Sequence, residues 1–340
     1  MARSASIWLS APVIALLGAL VSAGTALSAR PEIQAIDASG FPSIRVTVLL
    51  PAQTRTPPTL SVNGAPAVGL TTVDLGEKES VALVLDRSQS MHGRALADGI
   101  RAAETFVAAK PNSDEIGVFT AASHAVRLSD FSASQASADD ALNSLSVDHR
   151  YGTALWDAVV LAANRLRTNR LPGRAIILVT DGQETTSTAT LQQAIRAAQS
   201  ARARVYTIGI PDTTFTPTPL IELATATGGR YYRAPTTAAF THIYGMIAAE
   251  LNKTWQLQFL TAARPGDTLR LTIRADSTST TASERLSNRL GNGASTNTSP
   301  SPFIIAALAI IGTLALILLW PLTRSVRSSR WLRGSAPFWD

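Results

Sequence analysis

The stretch VALVLDRSQSM, residues 81–91, decides how this chain folds. Its first half, Val81-Ala82-Leu83-Val84-Leu85, is an unbroken apolar run, as a strand covered on both faces requires. Its second half, Asp86-Arg87-Ser88-Gln89-Ser90, carries an oxygen donor at every alternate position. A second apolar run, Ala175-Ile176-Ile177-Leu178-Val179, ends in the same way, at Thr180-Asp181-Gly182. Outward from these two strands the periodicity alternates between 3.6 and 2. Leu96, Ile100, Ala103 and Val107 form a helical stripe, and helices are expected over 154–166, 191–203, 220–226 and 238–251. Strands are expected at 116–119, 125–128, 205–210 and 230–232. Such alternation predicts an α/β fold over 79–253, a doubly wound, mostly parallel sheet with helices on both faces.

In such sheets ligands bind beyond the carboxyl ends of the strands, where strand order reverses. Asp86, Ser88 and Ser90 follow the first strand, Asp181 follows the second, and Gly152-Thr153-Ala154-Leu155 opens a helix between them. Two carboxylates and three hydroxyls can therefore converge. All are hard oxygen donors, which suit Mg²⁺ or Mn²⁺ and not a soft metal, and few direct carboxylates leave a coordination position for an outside ligand. Arg87, Gln89, Met91 and Tyr151 stand between or beside these donors and are expected to rim the mouth, where a cationic Arg87 favours an acidic partner loop. Glu184 either joins that rim or caps the next helix. Asp157 is accounted for by the helix N-terminus alone.

With VLDRSQSM (84–91), YGTALWDAV (151–159) and ILVTDGQET (177–185) in this order, the segment resembles a von Willebrand factor type A domain with a complete metal-ion-dependent adhesion site. The resemblance covers about half the chain. It implies that Asp86, Ser88, Ser90, Thr153 and Asp181 hold Mg²⁺ directly or through water. It also implies that a protein partner completes the shell with an acidic residue, and that the last helix, 238–251, shifts when it does. The layout of the whole chain is similar to bacterial membrane-anchored members.

The flanks read differently. Ile44 to Leu50 alternates, Asn63-Gly64 marks a hairpin, and Trp255 to Phe259 and Leu269 to Ile273 alternate again. Residues 30–78 and 254–275 are thus expected to pair as one small β domain interrupted by the central segment. Residues 276–302, rich in Ser, Thr, Asn and Gly, read as a flexible linker with a reach of about 30 Å. Residues 1–29 have the charged start, apolar middle and small-residue exit of a signal peptide. Residues 303–322 contain no charge and are long enough to cross a hydrocarbon core of about 30 Å. Arginines at 324, 327, 330 and 333 place residues 323–340 on the cytoplasmic side and the main body outside.

Composition removes other classes. Cysteine is absent, which excludes disulfides and thiolate chemistry, and only 16% of residues are charged, which excludes disorder as the main state. The net charge of +6 sits partly in the tail and argues little for nucleic acid. The four histidines are scattered, without a zinc-hydrolase spacing, and neither a Gly-x-Ser-x-Gly elbow nor a phosphate-binding Gly-x-x-x-x-Gly-Lys loop occurs. The expected function is a non-enzymatic, Mg²⁺-dependent, protein-binding module at the cell membrane, held by one C-terminal helix. The alternative is a scaffold component of a bacterial envelope machine, such as a secretion or pilus system.

Overall fold

The computed structural model describes residues 30–181, 184–210, 215–264, 266–276 and 278–286. The expected signal peptide, membrane helix and basic tail, and the linker from 287 onward, lie outside the described residues. Among the described residues no helix is long and apolar enough to cross a membrane.

Five strands come first: β1 (Glu32–Asp37), β2 (Ser43–Leu49), β3 (Thr59–Val62), β4 (Ala65–Pro66) and β5 (Val68–Asp74). The central segment then runs β6 (Glu79–Asp86), α1 (Arg94–Ala109), β7 (Glu115–Ala121), β8 (Val126–Arg127), α2 (Gln135–Asn143), α3 (Leu155–Arg167), β9 (Gly173–Thr180), α4 (Leu191–Ala201), β10 (Arg204–Gly209), α5 (Thr218–Ala226), β11 (Tyr231–Arg233) and α6 (Ala239–Leu251). Strands β12 (Thr254–Leu260), β13 (Thr268–Ala275) and β14 (Thr278–Arg285) follow.

The central sheet has the order β11-β10-β9-β6-β7-β8. Neighbours are parallel except the short edge strand β8, so the sheet is mixed. Every residue of β6 is buried, because successive side chains enter opposite layers. Val81, Leu83 and Leu85 meet α1, α2 and α6, while Ala82 and Val84 meet α3, α4 and α5. Helix α1 docks through Leu96, Gly99, Ala102, Ala103, Phe106 and Val107, spaced three and four apart along one face. Helix α2 has no counterpart in the sequence reading. It buries two alanines, Ala138 and Ala141, and a single large side chain, Leu142, too few to make a stripe of large apolar residues.

Strand β6 leads through α1 to β7 on one side, and the chain then returns through α3 to β9 on the other. Strand order therefore reverses between β6 and β9. Leu85 pairs with Val179, so Asp86 and Thr180 end side by side at that crevice.

The flanking strands form two four-stranded sheets, β1-β2-β12-β5 and β14-β13-β3-β4, and strands from both sides of the central segment take part in each. Ile44, Val46 and Val48 of β2 alternate into a common core with Trp255, Leu257 and Phe259 of β12 and with Leu269, Leu271 and Ile273 of β13. The linker reading fails for its first part. Thr278–Arg285 is a strand paired with β13 along its whole length, from Ala275 opposite Thr278 to Thr268 opposite Arg285. Threonine favours strands, and this one half-buries only Thr278, Thr280, Ala282 and Glu284, so no apolar alternation marks it. Leu286, just beyond, closes the same core.

Candidate metal centre

Asp86 is the last residue of β6 and is fully buried. Its Oδ1 accepts from the Ser88 N–H at 2.8 Å, which turns the chain sharply after the strand, and its Oδ2 accepts from the Thr180 hydroxyl at 2.6 Å. The Ser88 and Ser90 hydroxyls lie 3.1 Å apart, and the Ser90 hydroxyl donates to Asp181 Oδ1 at 2.8 Å. Asp86, Ser88, Ser90 and Asp181 therefore form one continuous chain of oxygens across the crevice. Burial pushes the Asp86 carboxyl up from 3.8 to about 6, against the pull of hydrogen bonds from Ser88 and Thr180, and Asp181 adds a smaller push. Among the described residues no three His, Cys, Asp or Glu side chains gather on one point. The donor set is two carboxylates and hydroxyls, the composition a hard cation accepts.

The loop bearing Thr153 is tied by its backbone to the loops on either side. The end of β7 holds both neighbouring loops, since Ala121 C=O accepts from Arg87 N–H at 2.8 Å and Ala122 C=O accepts from Ala154 N–H at 2.7 Å. On the other side, Thr153 N–H donates to the Thr185 hydroxyl at 2.8 Å, and its C=O accepts from Thr185 N–H at 3.0 Å. Gly152, at φ +119°, permits this approach, because a Cβ there would sit 2.4 Å from Thr186 Cγ2.

The residues beyond Asp181 lock Thr153 in place by capping α3 from outside. Ala154, the residue before that helix, makes no side-chain cap. Instead Glu184 Oε2 accepts from the N–H groups of Leu155 at 2.7 Å and Trp156 at 3.2 Å. The Ser187 hydroxyl accepts from Trp156 N–H at 3.0 Å and Asp157 N–H at 3.1 Å. The exchange is mutual: Asp157 accepts from the N–H groups of Thr188 and Ala189 at 2.9 and 2.7 Å. Glu184 is thus a cap, of α3 and not of the following helix α4, which has its own capping box in Thr190 and Gln193.

The residues expected at the rim differ in exposure. Gln89 and Tyr151 are exposed, Tyr151 at 83%. Met91 is fully buried in the core beneath α1, because the chain tightens into a 3₁₀ turn at Gln89–Met91 and swings that side chain inward. Arg87 is turned aside, its Nη1 donating to Ser146 C=O at 3.2 Å and its Nη2 lying 3.9 Å from Asp148. Thr180, Asp148, Thr185 and Ser187 were not singled out from the sequence. They act through hydrogen bonds to residues far along the chain, which no local spacing reveals.

Residues 80–245 match the family model of the von Willebrand factor type A domain. Among solved structures, an aerotolerance-related membrane protein from Bacteroides fragilis, carrying multiple mutations to serine, is 24% identical over 51% of this chain and 98% of its own, with a TM-score of 0.44. The conserved hypothetical protein BatB from Bacteroides thetaiotaomicron is 23% identical over 50% of this chain and 97% of its own, with a TM-score of 0.42. A von Willebrand factor type A structure from Catenulispora acidiphila is 13% identical over 76% of this chain and 69% of its own, with a TM-score of 0.48. No curated protein matches the chain.

Proposed function

From a von Willebrand factor type A domain at residues 80–245, we propose that this chain is a membrane-anchored, extracytoplasmic module that binds a protein partner through a divalent cation and catalyses no reaction. One observation carries the reading: a fully buried carboxylate, Asp86, joined through Ser88 and Ser90 to Asp181 at the point where strand order reverses. Asp86, Ser88, Ser90, Thr153 and Asp181 would hold Mg²⁺, or Mn²⁺, directly or through water. Once bound, the cation would supply a Lewis-acidic position open to a carboxylate of the partner. Within the chain, Thr180 orients Asp86, and the exchange of caps between α3 and residues 184–189 ties the start of that helix, next to Thr153, to the segment after β9. Anchoring and orientation rest on the apolar stretch 303–322 and the arginines after it.

Thermal unfolding with added Mg²⁺ tests the reading. A cation bound only by the folded chain at a hundredfold excess over Kd should raise Tm by about 5–10 °C. Asp86→Ala should remain folded and lose that response. A response of equal size in the variant would remove the site from the proposal.

A further inference from the structure

Two arginines share one carboxylate beside the metal centre, and only one of them faces solvent. Asp148 is itself almost fully buried. It accepts from the Ser123 hydroxyl at 2.6 Å, from Arg150 Nε and Nη2 at 3.0 and 3.1 Å, and from the Arg150 N–H at 3.1 Å. These bonds, the Arg150 guanidinium foremost, hold its carboxyl well below the usual range. Its own N–H donates to Arg87 C=O at 2.8 Å, which ties this loop to the one bearing Asp86 and Ser88. The Arg87 side chain is 18% exposed, whereas that of Arg150 is 64% exposed. Tyr151 follows directly, a large aromatic standing in water. The backbone that presents both is fixed at its two ends, by Asp148 on one side and by the bonds between Thr153 and Thr185 on the other.

Resting on the metal-dependent reading above, we propose that Arg150 and Tyr151 are a second contact for the same partner, whose binding segment carries two carboxylates, one for the cation and one for Arg150. An arginine already oriented by a buried carboxylate and a tyrosine on a fixed backbone lose little freedom when covered, and these two residue types dominate binding hot spots. Two guanidinium groups against one carboxylate leave a single excess positive charge. That suits one carboxylate and falls short of the row of cations a polyphosphate backbone needs.

A random peptide display library, selected on the full-length chain with Mg²⁺ present, provides the probe. EDTA-sensitive peptides should carry at least two acidic residues. Arg150→Gln and Tyr151→Ala should each weaken the selected peptides by about tenfold or more, while the Tm rise with Mg²⁺ persists in both variants. EDTA-sensitive peptides that bind both variants as tightly as wild type would overturn this inference and leave the metal-dependent reading standing. Loss of the Mg²⁺ response in Arg150→Gln would overturn it too, by making Arg150 a support of the metal centre. A selection that yields only EDTA-insensitive peptides, or none, would defeat both readings.

Discussion

Asp86 carries two opposed demands in one side chain. As the proposed cation ligand it would have to ionise, yet burial and the nearby Asp181 hold its carboxyl up at about 6. Because this value lies above the ordinary 3.8, the metal-free folded chain binds the extra proton. The contribution to stability is therefore full below about pH 4 and is lost as pH rises through about 6. If the proposal holds, Mg²⁺ has to displace that proton, so its affinity should be about tenfold weaker at pH 5 than its plateau above pH 7. Calorimetric titration at the two pH values measures this, and equal affinities would exclude Asp86 as the titrating ligand. The convergence of Asp86, Ser88 and Ser90 is legible in the sequence, since alternate residues after a strand end face one side. Met91 is not, because the 3₁₀ turn over Gln89–Met91 swings its side chain into the core. Nor is the orientation of Arg87, which depends on Asp148, 61 residues further along.

Helix α3 shows how one element's end becomes another's support. Its first N–H groups, which a helix leaves without internal partners, are satisfied by Glu184 and Ser187 from the loop after β9. Glu184→Ala would orphan the N–H groups of Leu155 and Ser187, leave Thr186 N–H only its longer bond to Thr153 C=O, and weaken the Trp156 cap. The expected loss is about 2 kcal/mol of unfolding free energy, measured by denaturant titration, with a weaker Tm response to Mg²⁺ as the loop that holds Thr153 through Thr185 loosens. Unchanged stability would mean that the cap is replaced by water. The helices and strands of the sheet are legible because their apolar periods are strong. Helix α2 and strand β14 escape because alanine and threonine bury little area and leave no apolar period to read.

At the scale of the whole chain, the proposed orientation across the membrane rests on sequence outside the described residues. A reporter active only outside the cytoplasm should work when fused after Ser301 and be silent when fused after Asp340. The reverse pattern would overturn the extracytoplasmic reading. Fusion after Ser301 leaves β14 and Leu286 intact, which a junction inside the Ser/Thr-rich stretch at 278–286 would not. The central segment also enters and leaves the β domain at one place. Asp74 pairs with Trp255, and Leu75 N–H donates to Thr254 C=O at 2.9 Å. The pairing of β12 with β2 and β5 gives tension applied between the first and last described strands a path that bypasses the 180 or so residues suspended between β5 and β12. The candidate metal centre sits on a side branch of the mechanical path, so a tug on a bound partner and a tug on the chain's ends load different parts of the molecule.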